Sequence, residues 1–168
     1  MSEYMDTIWF TFRYPETDRS HKAHTELTFA RLQCLCTQIK SNAISVQSDY
    51  GNGRIGHYRL VATAYEYRAK SHDGVDCVAP TNTNPKATLN VPGNASGPQI
   101  AKLHRKHKIN ILLFLVWYES DKALKVQIIA AINDCFIGTL KDNELGYSDV
   151  TDLNIINHLF SMYGTISY

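Results

Sequence analysis

The last third of the chain constrains its fold most, because it encodes three short amphipathic helices in immediate succession. Apolar residues recur at helical spacing in segments 123–132, 135–140 and 153–163. Either Asp149 or Thr151 is placed to cap the last helix, and Gly164 is expected to end it in a left-handed conformation. This arrangement carries no catalytic chemistry and is typical of a packing unit.

The composition is that of one domain, or of one domain with an arm. The chain has 168 residues, 44% of them apolar, and a formal net charge of +1. That charge produces no strong field toward nucleic acid or a membrane. The longest apolar run, 109–118, is far shorter than the roughly 20 residues that a membrane span needs. We therefore expect no membrane partner, and a cytoplasmic location because the N-terminus has no secretory pattern.

The N-terminal segment has the alternation of a β-strand. Over residues 7–14, aromatic or aliphatic side chains lie on both faces, and Pro15 ends the pattern. We expect residues 1–24 to form an arm whose strand pairs with another protomer. The alternative is an intrachain hairpin with 41–47 or 88–91. The expected assembly residues are Ile8, Trp9, Phe10, Phe12 and Tyr14.

The remainder predicts further helices. One runs from Thr28 to about Ala43, and another covers 64–70 behind a Thr63–Glu66 capping box. A Pro- and Asn-rich irregular loop covers 71–95. A long helix starts at Ser96 and is expected to break near Ser120, which puts Asp121 near a helix start. The sequence thus predicts a mainly α fold, a compact bundle of about six helices in residues 25–168 with an N-terminal strand. The expected core is Leu32, Leu35, Ile39, Leu103, Ile111, Phe114, Leu124, Ile128, Leu153, Leu159 and Phe160.

Two motifs could point to ligands. Gly51–Gly56 reads GNGRIG, but a dinucleotide site needs a preceding buried strand and a helix opening inside the motif. We expect a surface turn there instead, with no nucleotide bound and no cofactor. Basic side chains on the long helix are either a solvated surface or a contact for a polyanion or an acidic neighbour. These are Lys102, Arg105, Lys106 and Lys108.

Signatures of enzymes and metal sites are missing from the sequence. It contains no nucleophile elbow, no HExxH, no phosphate-binding lysine loop and no aspartic protease motif. The four cysteines lack CxxC spacing, so we expect buried free thiols in a reducing compartment rather than a zinc site. The sequence therefore favours a protein that is not an enzyme.

The order of these motifs resembles the Gag polypeptide of copia-type LTR retrotransposons over residues 25–166. The shared elements are the helix start Thr28–Leu32, the Gly-rich turn Gly51–Gly56 followed by His57, Leu60 and Val61, Glu66-Tyr67, the helix start Asn94–Ile100, the Asp121–Lys125 helix, and Gly146-Tyr147, Val150-Thr151, His158-Leu159 and Tyr163–Ile166. The chain lacks the Cys-His zinc knuckle that is the usual nucleic-acid module of such proteins.

This resemblance implies a retroviral-capsid-like helical domain that assembles with itself. The chain would then be a Gag fragment, a domesticated relative or a minimal coat protein, forming shells or filaments, with nucleic acid as a less supported cargo. The alternative function is a small adaptor that binds a protein or RNA through the basic segment 102–108.

Overall fold

The computed structural model describes residues 27–46, 48, 55–71, 74, 85 and 88–164, and these residues form a mainly helical fold. The helices are α1 (Phe29–Ser45), α2 (Ala64–Lys70), α3 (Gly97–Ala131), α4 (Asp134–Ile137) and α5 (Asp152–Tyr163). Two 3₁₀ turns, Gly56–Leu60 and Gly138–Leu140, lie between them. Within the described residues there is no strand, only an isolated antiparallel bridge between Asp142 and Gly146. The predicted helical fold is confirmed at this level.

Helix α3 is continuous for 35 residues, so the expected break near Ser120 was wrong. The described part of the chain therefore has five α-helices rather than six. The polar run 119–122 suggested a loop, yet it contains no Gly or Pro, and those residues are what usually interrupts a helix. At 1.5 Å per residue α3 is about 52 Å long. Asp121 accordingly lies inside the helix and not at its start.

The helix starts follow from local side-chain chemistry. The Thr28 and Thr151 hydroxyls accept the backbone N–H groups of Arg31 and Asn154, at 3.4 and 3.1 Å. Such bonds satisfy N–H groups that have no partner within the helix. Of the two predicted caps for α5, Thr151 is therefore the cap. The first helix extends to Ser45, two residues beyond its expected end.

Side chains also cap the starts of α2 and α3, with hydrogen bonds in both directions at α2. At α2, Thr63 Oγ1 accepts from Glu66 N at 3.2 Å, and Glu66 Oε2 accepts from Thr63 N at 2.8 Å. This is the predicted capping box. At α3, the Gln99 side chain accepts from the Ser96 N–H at 2.8 Å. Three-residue spacing was enough to predict these bonds because both partners lie in one turn.

The core lies where α1, α5, the Gly56–Leu60 turn and the C-terminal third of α3 meet. Its buried apolar residues are Leu32, Ile39, Ala43, Val46, Tyr58, Val61, Ala62, Tyr67, Ala123, Leu124, Ile128, Ile132, Ile137, Ile155, Ile156 and Leu159. Five predicted core residues are among them, and Leu35 and Phe160 pack against this cluster at its edge. The other four, Leu103, Ile111, Phe114 and Leu153, are only half-buried and lie outside it. Their helical spacing was read correctly, but spacing does not tell which face is covered.

At two positions, 146 and 164, the backbone geometry shows why glycine is favoured. Gly146 has φ +62°, a left-handed conformation that closes the turn before α5. Gly164, in contrast, has φ −82°, so the expected left-handed end of α5 was wrong. A Cβ at Gly164 would instead overlap the Phe160 carbonyl oxygen, to which the Gly164 N–H donates at 3.0 Å. Close approach of the backbone, and not its φ angle, favours glycine there.

The strand predicted for residues 7–14 lies outside the described residues. One of its proposed intrachain partners is excluded, because residues 41–45 belong to helix α1. The other, 88–91, has irregular backbone. Among the described helices none is by itself long and apolar enough to cross a membrane. α3 and the segment Asp134–Leu140 meet that criterion only together, as a pair bent by 118°.

Candidate functional site

The predicted cationic residues all lie in the first third of α3. Lys102, Arg105, Lys106 and Lys108 are exposed, and none forms an ion pair with another described residue. At about 100° per residue they point in different directions around the helix. The structure therefore brings these four side chains into one segment but not onto one face. The predicted assembly residues Ile8, Trp9, Phe10, Phe12 and Tyr14 lie outside the described residues.

Apolar side chains follow the basic segment and are unusually exposed. Ile109, Leu112 and Tyr118 are 49%, 41% and 52% exposed. Over the part of α3 that precedes Ser120, the structure buries no side chain fully. Isolated exposed apolar residues are ordinary. At 100° per residue, Ile109 and Leu112 share a face, which favours an interaction surface there, whereas Tyr118 points to the opposite side from Ile109.

One line along this surface is notable for its order. Arg105, Leu112 and Glu119 are spaced seven residues apart, so they lie almost directly above one another on the helix. Ile109 and Leu115 lie three residues before and after Leu112, on its two sides. We call these five residues the α3 stripe. Its centre is apolar, with the exposed Arg105 at one end and the half-buried Glu119 at the other, and Lys108 lies on the same face four residues before Leu112.

A buried polar cluster joins α3 to α5. Asp152, the first residue of α5, is fully buried, and neither of its carboxylate oxygens has a hydrogen-bond partner within the described structure. Burial, together with the nearby Asp121 carboxylate, raises the pKa of Asp152 to about 8, although Lys125 opposes this. Lys125 Nζ lies 3.6 Å from Asp121 Oδ2. At neutral pH the Asp152 carboxyl is therefore held in its neutral form.

Asp121 itself is affected by the same environment. Burial raises the pKa of Asp121, and the neighbouring Lys125 ammonium only partly offsets this effect. Two acids and one lysine thus share the junction of α3 and α5. The sequence suggested nothing of the kind, since Asp121 and Asp152 are 31 positions apart in the chain and Asp121 was expected near a helix start.

A second polar contact joins α1 to α2. Lys40 Nζ donates to Glu66 Oε1 at 2.5 Å, and the same Glu66 side chain completes the capping box of α2. Partial burial alone would raise the pKa of Glu66, but the bonds from Lys40 and Thr63 outweigh it and lower that pKa. One carboxylate therefore caps a helix and ties it to its neighbour.

The turn Gly56–Leu60 is anchored by His57. Its ring is fully buried, Nδ1 lies 3.3 Å from the Val46 carbonyl oxygen, and its centroid is 5.7 Å from that of Trp117. Burial lowers the pKa of His57, against the smaller opposite effect of the Val46 carbonyl, so the ring is neutral near pH 7. His57 thus acts as a packing residue between the turn and α3.

A wide, open groove of about 740 Å³ lies on the outer face of α1, beside Gln33, Thr37 and Ser41, and the described residues that line it carry no charged side chain. No group of three or more His, Cys, Asp or Glu side chains converges among them. A cavity between α1, α3 and α5 has a volume of only about 10 Å³ and apolar walls, including Leu32, Ile128 and Leu159. Residues 51–54 of the GNGRIG motif lie outside the described structure, so the expected lack of nucleotide binding stays a prediction.

The cysteines depart from expectation. Cys34 and Cys135 are exposed and Cys36 is half-buried, so the prediction of buried thiols was wrong for the described ones. Cys34 and Cys36 are two residues apart on α1, so their side chains point to different sides of the helix, and that of Cys34 faces outward.

Sequence reasoning missed the α3 stripe. Its apolar members were visible as the run 109–118, but helical periodicity looks the same whether a face is covered by the chain itself or by a partner. The signal that could have indicated it is the reversal of charge between Arg105 and Glu119, with apolar residues between them.

Comparisons of the chain with protein-family models, with curated proteins and with solved structures each found no match.

Proposed function

We propose that this chain is a structural, Gag-like protomer that assembles with copies of itself into shells or filaments. The observation that carries the proposal is the exposed apolar pair Ile109 and Leu112, which lie on one face of α3 outside the core. Burying such side chains against a partner is favourable by roughly 25 cal/mol per Å² of apolar area. The surface has no chemistry for catalysis, and the protomer is not an enzyme.

The order of elements supports the same proposal. A first helix, a capped short helix, a long helix and a closing helix follow one another as the Gag resemblance implies, and we infer a retroviral-capsid-like arrangement for them. The partner is then the chain itself, with nucleic acid as an optional cargo, and assembled particles would form in the cytoplasm.

Purified protein tests this directly. We expect light scattering that grows with concentration, and negative-stain images that show regular particles or fibres. A single small species that persists into the sub-millimolar range, with no particles on the grid, would contradict the proposal.

The N-terminal strand is part of this proposal. A lone strand leaves its backbone donors and acceptors unpaired, so pairing with a neighbouring protomer is the economical solution. Deleting residues 1–14 is expected to abolish or weaken assembly while the helical circular dichroism spectrum is kept. Replacing Trp9 and Phe10 by serine in the full-length chain provides a milder version. Unimpeded assembly of the truncated chain would refute the arm.

A second function is favoured by one specific observation, the four exposed cations at 102–108 without ion-pair partners among the described residues. They suit an adaptor that binds RNA or an acidic protein. RNA titrations at increasing salt would show affinity falling steeply if phosphates are contacted. Affinity that is lost in Lys106→Glu and Arg105→Glu alike, in a protein that stays monomeric, would favour the adaptor over the coat protein.

A further inference from the structure

The α3 stripe reverses its charge about its midpoint, Leu112. Counting outward from Leu112, the residues three positions away are the apolar Ile109 and Leu115. The residues seven positions away are Arg105 on one side and Glu119 on the other. If a second identical helix is laid alongside in the opposite direction, Arg105 of each copy comes near Glu119 of the other, and the two Leu112 side chains meet at the centre.

These charges cannot satisfy each other within one protomer. Residues 105 and 119 are fourteen positions apart on one straight helix, which separates them by about 21 Å along its axis. That distance is about two and a half times the Debye length at physiological ionic strength, so their mutual attraction in the monomer is negligible. Nor does either side chain form an ion pair with any described residue.

We propose that two copies of this chain pair through the α3 stripe, with the helices antiparallel and a two-fold axis passing near Leu112. This pairing rests on the proposed self-assembly and names one of its contacts. Arg105 of each protomer lies beside Glu119 of the other, and the central leucines pack across the axis. The contact is isologous, as closed two-fold interfaces are, because the same surface serves both partners.

The opposite orientation is disfavoured by the same residues. A parallel pair would set Arg105 against Arg105 and Glu119 against Glu119, which places like charges together at both ends. A partner of uniform charge would attract one end of the stripe and repel the other. Only an antiparallel copy, among these arrangements, matches the reversal.

The size of the contact indicates its strength. The stripe spans four turns of helix, so it covers less surface than the roughly 800 Å² per partner of a standard stable interface. We therefore expect a concentration-dependent dimer that is reinforced by other contacts in an assembly, such as the N-terminal arm. Salt is expected to weaken it, because the charge pairs lie at its exposed ends.

Charge reversal tests the pairing in the full-length protein. Arg105→Glu makes both ends of the dimer anionic, and Glu119→Arg makes both cationic. Each variant alone is expected to dissociate at about tenfold higher concentration than the unmodified chain in sedimentation velocity. An equimolar mixture of the two variants restores opposite charges at both ends, and it should regain association close to that of the unmodified chain.

Lys106→Glu is the matched control, since it makes the same charge change one residue away but about 100° around the helix. It is expected to leave self-association within twofold of the unmodified chain. Circular dichroism of all three variants checks that the helices are retained.

The outcomes separate this inference from the proposed function. Assembly that proceeds equally in all variants, or a mixture that fails to regain association, overturns the antiparallel pairing and leaves self-assembly standing. An unmodified chain that remains monomeric at every concentration overturns both. Weakening by Arg105→Glu and Lys106→Glu to the same extent points to a diffuse cationic surface and also contradicts the pairing.

Discussion

A carboxyl group that is buried without a hydrogen-bond donor is strongly destabilised in its charged form. Asp152 is in that situation, with no exposed surface and with Asp121 as a neighbour of like charge. The protein accommodates it by keeping a proton on it up to a pH of about 8. The consequence at the residue scale is that the folded state holds a proton at neutral pH that the unfolded chain has released.

Stability should therefore fall as the pH rises. Between the ordinary carboxyl pKa of 3.8 and the folded value of about 8, only the folded state binds this proton. Each pH unit in that window then lowers the free energy of unfolding by at most about 1.4 kcal/mol. Asp152→Asn, which stays neutral, removes this contribution. Urea titrations from pH 4 to pH 8 measure it.

The unmodified chain and Asp152→Asn should be most alike in free energy of unfolding at pH 4, where residue 152 is neutral in both folded proteins. The two values should diverge as the pH rises, with Asp152→Asn the more stable. Parallel pH profiles for the two proteins would mean that the Asp152 carboxyl is already ionised in the folded state. Lys125→Met removes the contact between Lys125 and Asp121. Repeating the pH series in that variant measures how much this contact contributes to the pH dependence of stability.

Two core leucines allow a direct check of the packing. At most 2% of the surface of Leu124 and of Leu159 is exposed, and both residues were predicted from the sequence to lie in the core. Leu124→Ala or Leu159→Ala should each lower the free energy of unfolding by about 2–5 kcal/mol, because a cavity is left in a close-packed core. Leu145, which is 54% exposed, is the control, and Leu145→Ala should change it by less than about 0.5 kcal/mol. A small effect at either buried site would remove that residue from the core.

At the scale of single elements, α2 depends on its cap. The helix has only seven residues, too few to be stable in isolation, and Glu66 both closes its capping box and pairs with Lys40 on α1. Thr63→Ala removes the hydroxyl that accepts from Glu66 N and should cost about 1 kcal/mol of stability.

Thr37→Ala is a suitable comparison for that cap. Thr37 lies in the middle of α1 with an exposed side chain, and its hydroxyl donates to the Gln33 carbonyl oxygen one turn earlier, at 2.8 Å. Its loss should change stability by less than about 0.5 kcal/mol, because alanine also favours the helix. Equal effects at positions 37 and 63 would show that the cap does not stabilise α2 measurably.

Helix starts could be predicted where the residues that fix them are close together in the sequence. The caps at Thr28, Thr63 and Thr151 were recognisable because a cap and its bonded N–H lie within one turn. The break at Ser120 was wrong because polar composition was taken for a loop. In the structure Ser120 is buried on the same face as Leu124 and Ile128, so packing maintains the helix there.

At the scale of the whole molecule, covered faces were not predictable. Ile111 and Phe114 have the spacing of core residues but are only half-buried, whereas the core takes residues from the C-terminal third of α3. Periodicity groups residues by face, and tertiary contacts decide which face is buried. For the same reason the cations 102–108 were found from sequence, while the stripe that includes Arg105 was missed, although residues 105–119 lie inside the helix that was predicted to start at Ser96.

The continuity of α3 has a consequence for how different parts of one helix open. Residues 120–131 are held by the core, but most side chains of residues 97–110 are exposed, and opening free energies follow such differences. In dilute protein, amide hydrogens of 97–110 should exchange with deuterium much faster than those of 120–131. Uniform protection along α3 would contradict this. If copies pair along the α3 stripe, raising the protein concentration should slow exchange around Leu112 first. The N-terminal part of α3 would then be fully protected only in the dimer.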